Sequence, residues 1–156
     1  MFLVPQLKDF FRFKILATIL SATFNITVGI SMAFSAILIP QVEDANSDLR
    51  LTLAETSWVA SIGVLAGLGG SLTAGMVMES VGRLNTIKLS AIPIAIGWVL
   101  IASASNVWCL LAGRILIGVG VSLGASGQTV FVTEIARPDL RGSLTSFGPT
   151  LASLGW

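Results

Sequence analysis

The chain contains no histidine, a single cysteine (Cys109) and little charge of either sign. Without histidine, imidazole catalysis and the commonest transition-metal ligand are both excluded from this segment. One cysteine permits neither an internal disulfide nor a thiolate cluster. Charged residues make up 11% of the sequence, against roughly 25% in a soluble domain. No low-complexity stretch, soluble domain or catalytic constellation is visible, so neither an enzyme nor a cofactor is expected. The net charge of +1 gives no indication of nucleic acid as a partner.

What fills the chain instead is apolar sequence. Lys14 to Glu43, Glu55 to Glu79, Lys88 to Arg114 and Arg114 to Glu134 each enclose a run without charge, and nothing after Arg141 is charged. A bilayer core about 30 Å thick needs about 20 apolar residues at 1.5 Å rise each. In hydrocarbon only a helix satisfies its backbone donors and acceptors within one segment. The fold class is therefore an all-α polytopic membrane protein with the bilayer as its solvent. The runs predict helices at about 13–39, 56–78, 87–103 and 107–132, with a fifth beginning near 143 and cut short at 156. Residues 1–12 form a terminal segment. Pro40 closes the first helix, and Pro93 is expected to kink the third. The opening run is too long for a signal-peptide core and leads to no clear cleavage site. The Asn25-Ile26-Thr27 sequon lies inside the first span, where no transferase reaches.

Charge is distributed unevenly among the gaps. Lys8, Arg12 and Lys14 precede the first span, Arg83 and Lys88 lie between the second and third, and Arg137 and Arg141 follow the fourth. The gap after the first span carries Glu43, Asp44, Asp48 and Glu55 against Arg50 alone. Lys and Arg concentrate in short cytoplasmic loops, which places the amino terminus and the 79–86 turn inside and the 41–55 loop outside. Small residues recur four apart in the second helix (Gly63, Gly67, Ser71, Gly75) and in the fourth (Gly120, Gly124; Ser122, Ser126). In lipid, that spacing lets helix backbones approach closely.

Two sets of charges stand out. Arg114 lies about 10 Å inside the fourth helix by helix rise. A cation there costs at least about 2.5 kcal/mol unless it snorkels, faces water or is paired. Two readings are open: snorkelling to the outer surface, or lining a hydrated cavity between helices. No Asp or Glu lies within the first four spans to pair with it. The second set lies in the inner loops, where Glu79 and Arg83 flank a reversal tightened by Gly82, and Glu134 and Arg141 bracket the second loop. Acids interleaved with arginines point to a salt-bridge network that holds helices together at the inner surface.

These residues carry a resemblance. Gly75-Met76-Val77-Met78-Glu79-Ser80-Val81-Gly82-Arg83 resembles the G-x-x-x-D/E-x-x-G-R-R/K loop of the major facilitator superfamily. Arg114-Ile115-Leu116-Ile117-Gly118 resembles the R-x-x-x-G opening of helix four in its sugar porters. Thr133-Glu134 through Arg141-Gly142 resembles their E-x6-R-G closing loop. Three motifs in order cover nearly the whole chain, and Ser57-Trp58 is similar to the facilitated trehalose and hexose carriers.

The resemblance implies a parent fold of twelve helices in two halves, with substrate bound near the midplane between them. It implies facilitative transport of a sugar, trehalose or a hexose, by alternating access at the plasma membrane, with this chain supplying the first third and inactive alone. Glu79, Arg83, Glu134 and Arg141 would hold a cytoplasmic gate. Gly75, Gly82, Gly118 and Gly142 would allow close turns and packing, and Arg114 would set the field in the cavity. Ser31 is a candidate substrate contact. Leu84 departs from the family's second basic residue, and Ser122 and Thr129 stand where Gly and Pro are frequent. Pro149 falls where many sugar porters place a sugar-binding glutamine. The stretch Gly29-Ile30-Ser31-Met32 lacks the acid of proton-coupled relatives. A proton-coupled symporter and a non-transporting sensor or regulator remain alternatives, and the assembly state stays open.

Overall fold

The computed structural model describes residues 24–38, 40, 52–135, 150 and 152–153. Its elements are α1 (Phe24–Leu38), α2 (Leu53–Val81), α3 (Arg83–Ala102) and α4 (Val107–Ile135). The described residues form helix and no strand. Three of the helices are long and apolar enough to cross a membrane. The start of the first span, the 41–51 loop and all but three residues of the fifth segment lie outside the described residues.

α2 is longer than its apolar run at both ends, and each extension has a local cause. Thr52 caps the helix: its hydroxyl accepts from the Glu55 amide, and the Glu55 carboxylate accepts from the Thr52 amide at 2.8 Å. This capping box satisfies two helix-end donors reciprocally. Glu55 therefore belongs to the first turn of α2, although hydropathy places it in a loop. At the other end α2 runs on to Val81. The expected 79–86 turn shrinks to Gly82, whose φ of 84° is the conformation that favours glycine. Arg83 already begins α3, and Thr86 returns both its amide and its hydroxyl to the Gly82 carbonyl. α3 is continuous helix through Pro93 and ends at Ala102. Ser103 to Asn106 connect it to α4.

α4 is the central helix. It packs along α3 on one side and α2 on the other, while α2 and α3 scarcely touch. The α3–α4 seam is antiparallel and closely approached. A Cβ on Gly97 would lie 2.8 Å from the Gly113 carbonyl oxygen, and one on Gly120 would lie 3.0 Å from that of Ser90. α2 runs parallel to α4, with Gly63 against Gly118 and Gly70 against Val119 and Ser122.

The four-residue stripe expected on α2 follows this seam for only half its length. Gly63 and Gly67 face α4, but then Gly70 and Ala74 take over as buried positions while Ser71 and Gly75 are exposed. The helix turns 3.6 residues at a time, so each four-residue step rotates the stripe by about 40°. After the step from Gly63 to Gly67, a three-residue step to Gly70 brings the seam back. Gly75, expected as a packing residue, therefore has open space where a Cβ would stand.

Val59, Ala74, Ile94, Leu110, Ile117 and Val132 form the buried apolar core. Leu65, Leu68, Leu72, Met76, Val99 and Trp108 are exposed. In water that much exposed apolar surface would be costly; in a bilayer it is surface for lipid or for further helices. The chain is a multi-pass membrane protein.

Candidate functional site

Arg114 is 4% exposed. That overturns the snorkelling reading: the side chain turns inward, between α1, α2 and α4. Its Nε donates to the Val59 carbonyl at 3.3 Å and its Nη1 to the Ser31 carbonyl at 3.1 Å. Nη2 donates to the Ser35 hydroxyl. The guanidinium also lies over the Phe34 ring, 5.4 Å from its centroid. Phe34 in turn meets Trp98 of α3 edge-on, at 5.2 Å and 86°. A planar, weakly hydrated cation suits this arrangement, because it can bond in its plane and stack on a face. Charge is thereby balanced by dipoles and a ring quadrupole. No carboxylate among the described residues takes part.

Local sequence explains how the site is reached. Ser31 and Ser35 stand four apart and so share a face of α1. Gly63 leaves room at the α2–α4 seam, where a Cβ would sit 3.6 Å from the Arg114 carbonyl oxygen. Beside the guanidinium is a cavity of about 160 Å³, bordered by Ser31, Ser35, Gly63, Gly67, Arg114 and Ser122 among others. Its walls are mostly apolar, with serine hydroxyls as polar points.

Farther along α4 a second polar tie joins the same helices. The Asn25 amide of α1 donates to the buried Gln128 side chain of α4 at 2.5 Å. Without it a carboxamide would lie in the bundle interior unpartnered, which is expensive in an apolar medium.

The third feature is at the Gly82 end, about 30 Å from Arg114 along α4 by helix rise. Arg83 Nη2 bonds Glu134 Oε1 at 2.6 Å, and the two side chains are about half exposed. The pair clamps the start of α3 to the end of α4. Arg83 thus reaches across to the acid at the end of α4 and not to Glu79. Glu79 is exposed and forms no ion pair within the described residues. Arg141 and Gly142 lie outside the described residues.

Among the expected site residues, then, Arg83 meets Glu134, and Arg114 meets Ser31 through a backbone carbonyl. Gly118 lies against Gly63 so closely that a Cβ would run into the Gly63 carbonyl group. Sequence reasoning missed Ser35, Phe34, Trp98 and the Asn25–Gln128 bond. The four-residue spacing of Ser31 and Ser35 was the available signal for the first. The partners on α2 and α3 had none, because the contacts join residues more than fifty positions apart.

Residues 13–156 match the sugar (and other) transporter family. The chain is 35% identical over 140 residues to the facilitated trehalose transporter Tret1 of Polypedilum vanderplanki, covering 86% of this chain and 28% of that protein. Against Tret1 of Bombyx mori it is 35% identical over 147 residues, 92% of this chain and 28% of the relative. It is 36% identical over 141 residues to human solute carrier family 2, facilitated glucose transporter member 6, again 28% of the relative and 90% of this chain. The chain thus spans under a third of the length of these curated relatives. A match that runs through α1 to α4 and takes in the Arg114 site and the Arg83–Glu134 clamp makes this chain a member of the sugar transporter family.

Proposed function

We propose that this chain is the first part of a facilitative sugar carrier, for trehalose or a hexose, working by alternating access in the plasma membrane. The observation that carries this reading is the pairing of two features on one central helix. A cavity with a buried cation and serine hydroxyls lies at mid-bundle, and an ion pair joins two helices at the far end. A solute site near the midplane with a breakable contact at one end is what rocking of helix bundles about a fixed site requires.

In this reading Arg83 and Glu134, with Glu79 and Arg141, hold the gate closed on the cytoplasmic side. Half-exposed ion pairs contribute little singly, commonly under about 1 kcal/mol. A near-balanced two-state equilibrium is still shifted tenfold by about 1.4 kcal/mol, so a few such contacts suffice as a latch. Gly82 keeps the α2–α3 connection to one residue, which brings Arg83 close to the end of α4. Arg114 sets the field of the cavity wall, and Ser31 is a contact for the sugar. The bonding of Arg114 to carbonyls and a hydroxyl favours uniport over proton coupling, because none of these partners changes protonation in the accessible pH range.

Uptake tests the reading directly. A full-length carrier that begins with this chain is reconstituted in vesicles and offered a panel of labelled sugars. Saturable uptake of trehalose or a hexose, unchanged by a protonophore, is expected, and the chain alone should give none. Sugar-driven alkalinisation of the medium would exclude uniport. The orientation is checked by cysteines at Ser47 and Asn85 with an impermeant thiol reagent on intact cells. Labelling at Ser47 alone is expected, and labelling at Asn85 alone would invert the topology.

A further inference from the structure

Arg114 has more hydrogen-bond donors than partners among the described residues. A guanidinium carries five N–H donors and no acceptor. Three are used, by Val59, Ser31 and Ser35, so each nitrogen has a partner while two N–H hydrogens have none among the described residues. The serines beside it are donors too. The Ser35 oxygen accepts from the guanidinium, which leaves its own proton to give, and the Ser31 hydroxyl has no bond among the described residues. Both hydroxyls border the cavity of about 160 Å³. The remainder of the lining includes Met32, Ala60, Val64 and Val121, which offer no side-chain charge. The cavity is therefore rich in spare donors, borders a full positive charge offset by dipoles and a ring face alone, and has no carboxylate among the described residues that line it.

We propose that this cavity is a binding site for a small monovalent anion of halide size, held by the Arg114 guanidinium and the Ser31 and Ser35 hydroxyls. Charge favours an anion over a neutral occupant. Water or a sugar hydroxyl can accept the spare hydrogen bonds, but neither offsets the cost of a full charge in a low-dielectric bundle. A halide does both and, being spherical, accepts from donors that converge from several directions. Anion occupancy of this cavity does not depend on whether the carrier moves a sugar.

The test uses binding linkage. A ligand that binds the folded state alone raises the unfolding midpoint as its concentration passes the dissociation constant. The full-length protein in neutral detergent is unfolded by heat at constant ionic strength, with sodium chloride, sodium bromide or sodium gluconate as the salt. Chloride and bromide should raise the midpoint by about 3 °C over gluconate. In Arg114→Gln that difference should vanish. Ser35→Asp, which supplies a tethered carboxylate in place of the anion, should match or exceed the wild-type midpoint in gluconate and show no response to halide. Ser103→Ala, at the exposed end of α3, should respond as the wild type does. Equal wild-type midpoints in chloride and gluconate would overturn the proposal, as would a halide response that persists in Ser35→Asp. The Ser35→Asp arm decides the matter even where Arg114→Gln fails to fold.

Discussion

Arg114 and Arg83 are the same side chain put to opposite uses on one bundle. Arg114 is 4% exposed and bonds to carbonyls, a hydroxyl and an aromatic face. Arg83 has a side chain 49% exposed and bonds to a carboxylate. Intuition pairs the buried charge with the opposite charge and leaves the exposed one to water. Here the buried cation is held by dipoles that cannot dissociate or titrate, so its site is permanent. The exposed cation is held by an ion pair that solvent can compete for, so its contact is reversible. Under the function proposed above, a permanent site within the bundle and a reversible contact at its end are the two parts that uncovering a fixed site from alternate sides needs.

The comparison breaks most readily at Arg114. Arg114→Lys keeps the charge but replaces a planar fork with a compact, strongly hydrated ammonium that cannot reach Val59, Ser31 and Ser35 together. Losing two charge-assisted bonds should lower stability by about 3 kcal/mol, measured by thermal unfolding in detergent. Arg114→Leu is the sharper partner of that experiment. It removes the burial cost along with the bonds, so stability should stay near the wild type while sugar uptake by the full-length carrier is lost. Equal destabilisation by the two changes would mean that the site is held by packing and not by charge.

The glycine seam that brings α2 and α4 together comes next. Gly118→Ala should cost about 2 kcal/mol, because the added Cβ meets the Gly63 backbone, which cannot shift cheaply. Gly75→Ala, facing open space on the same pair of helices, should change stability by less than about 0.5 kcal/mol. Similar losses at both positions would show that the small residues act through helix flexibility and not through close approach.

Smaller still is the Asn25–Gln128 bond. Interhelical hydrogen bonds in membranes average about 0.6 kcal/mol, and a double-mutant cycle of Asn25→Ala with Gln128→Ala should return a coupling of that size. The smallest effect on stability belongs to the exposed pair. Arg83→Ala and Glu134→Ala should each cost under about 0.5 kcal/mol, with the loss disappearing at 1 M salt, where the Debye length falls to about 3 Å. Their effect on transport should be disproportionate, with slower uptake and a population shifted toward the inward-open state. If uptake tracks stability in both variants, the pair is a structural clamp and not a latch.

How much of this could be read in advance depends on the range of the interaction. The apolar runs, the place of Arg114 about two turns inside its helix and the Gly82 reversal follow from neighbours within a few residues. The helix ends were harder. Thr52 and Glu55 look like loop to a hydropathy reading, because a capping box is polar by nature. The α2 seam was legible as small residues every four positions but not in its later course, since a straight helix drifts off a four-residue stripe. Ser35, Phe34 and Trp98 could not be assigned to Arg114 at all, because nothing in a single sequence says which faces of α1, α3 and α4 meet.

The sequence by itself determined that the chain lives in a bilayer. Apolar runs of spanning length leave the backbone no other way to satisfy its hydrogen bonds, and that constraint acts one segment at a time. It also determined where charge is tolerated, at the ends, and where it is conspicuous, at Arg114. Only the tertiary structure decided what the conspicuous charge does and which acid Arg83 chooses. Those outcomes depend on helix rotation and on close approach at Gly97, Gly113 and Gly118, where a single methyl group would hold the helices apart. Partner choice across a bundle is settled by geometry summed over whole helices, and no local stretch of sequence contains it.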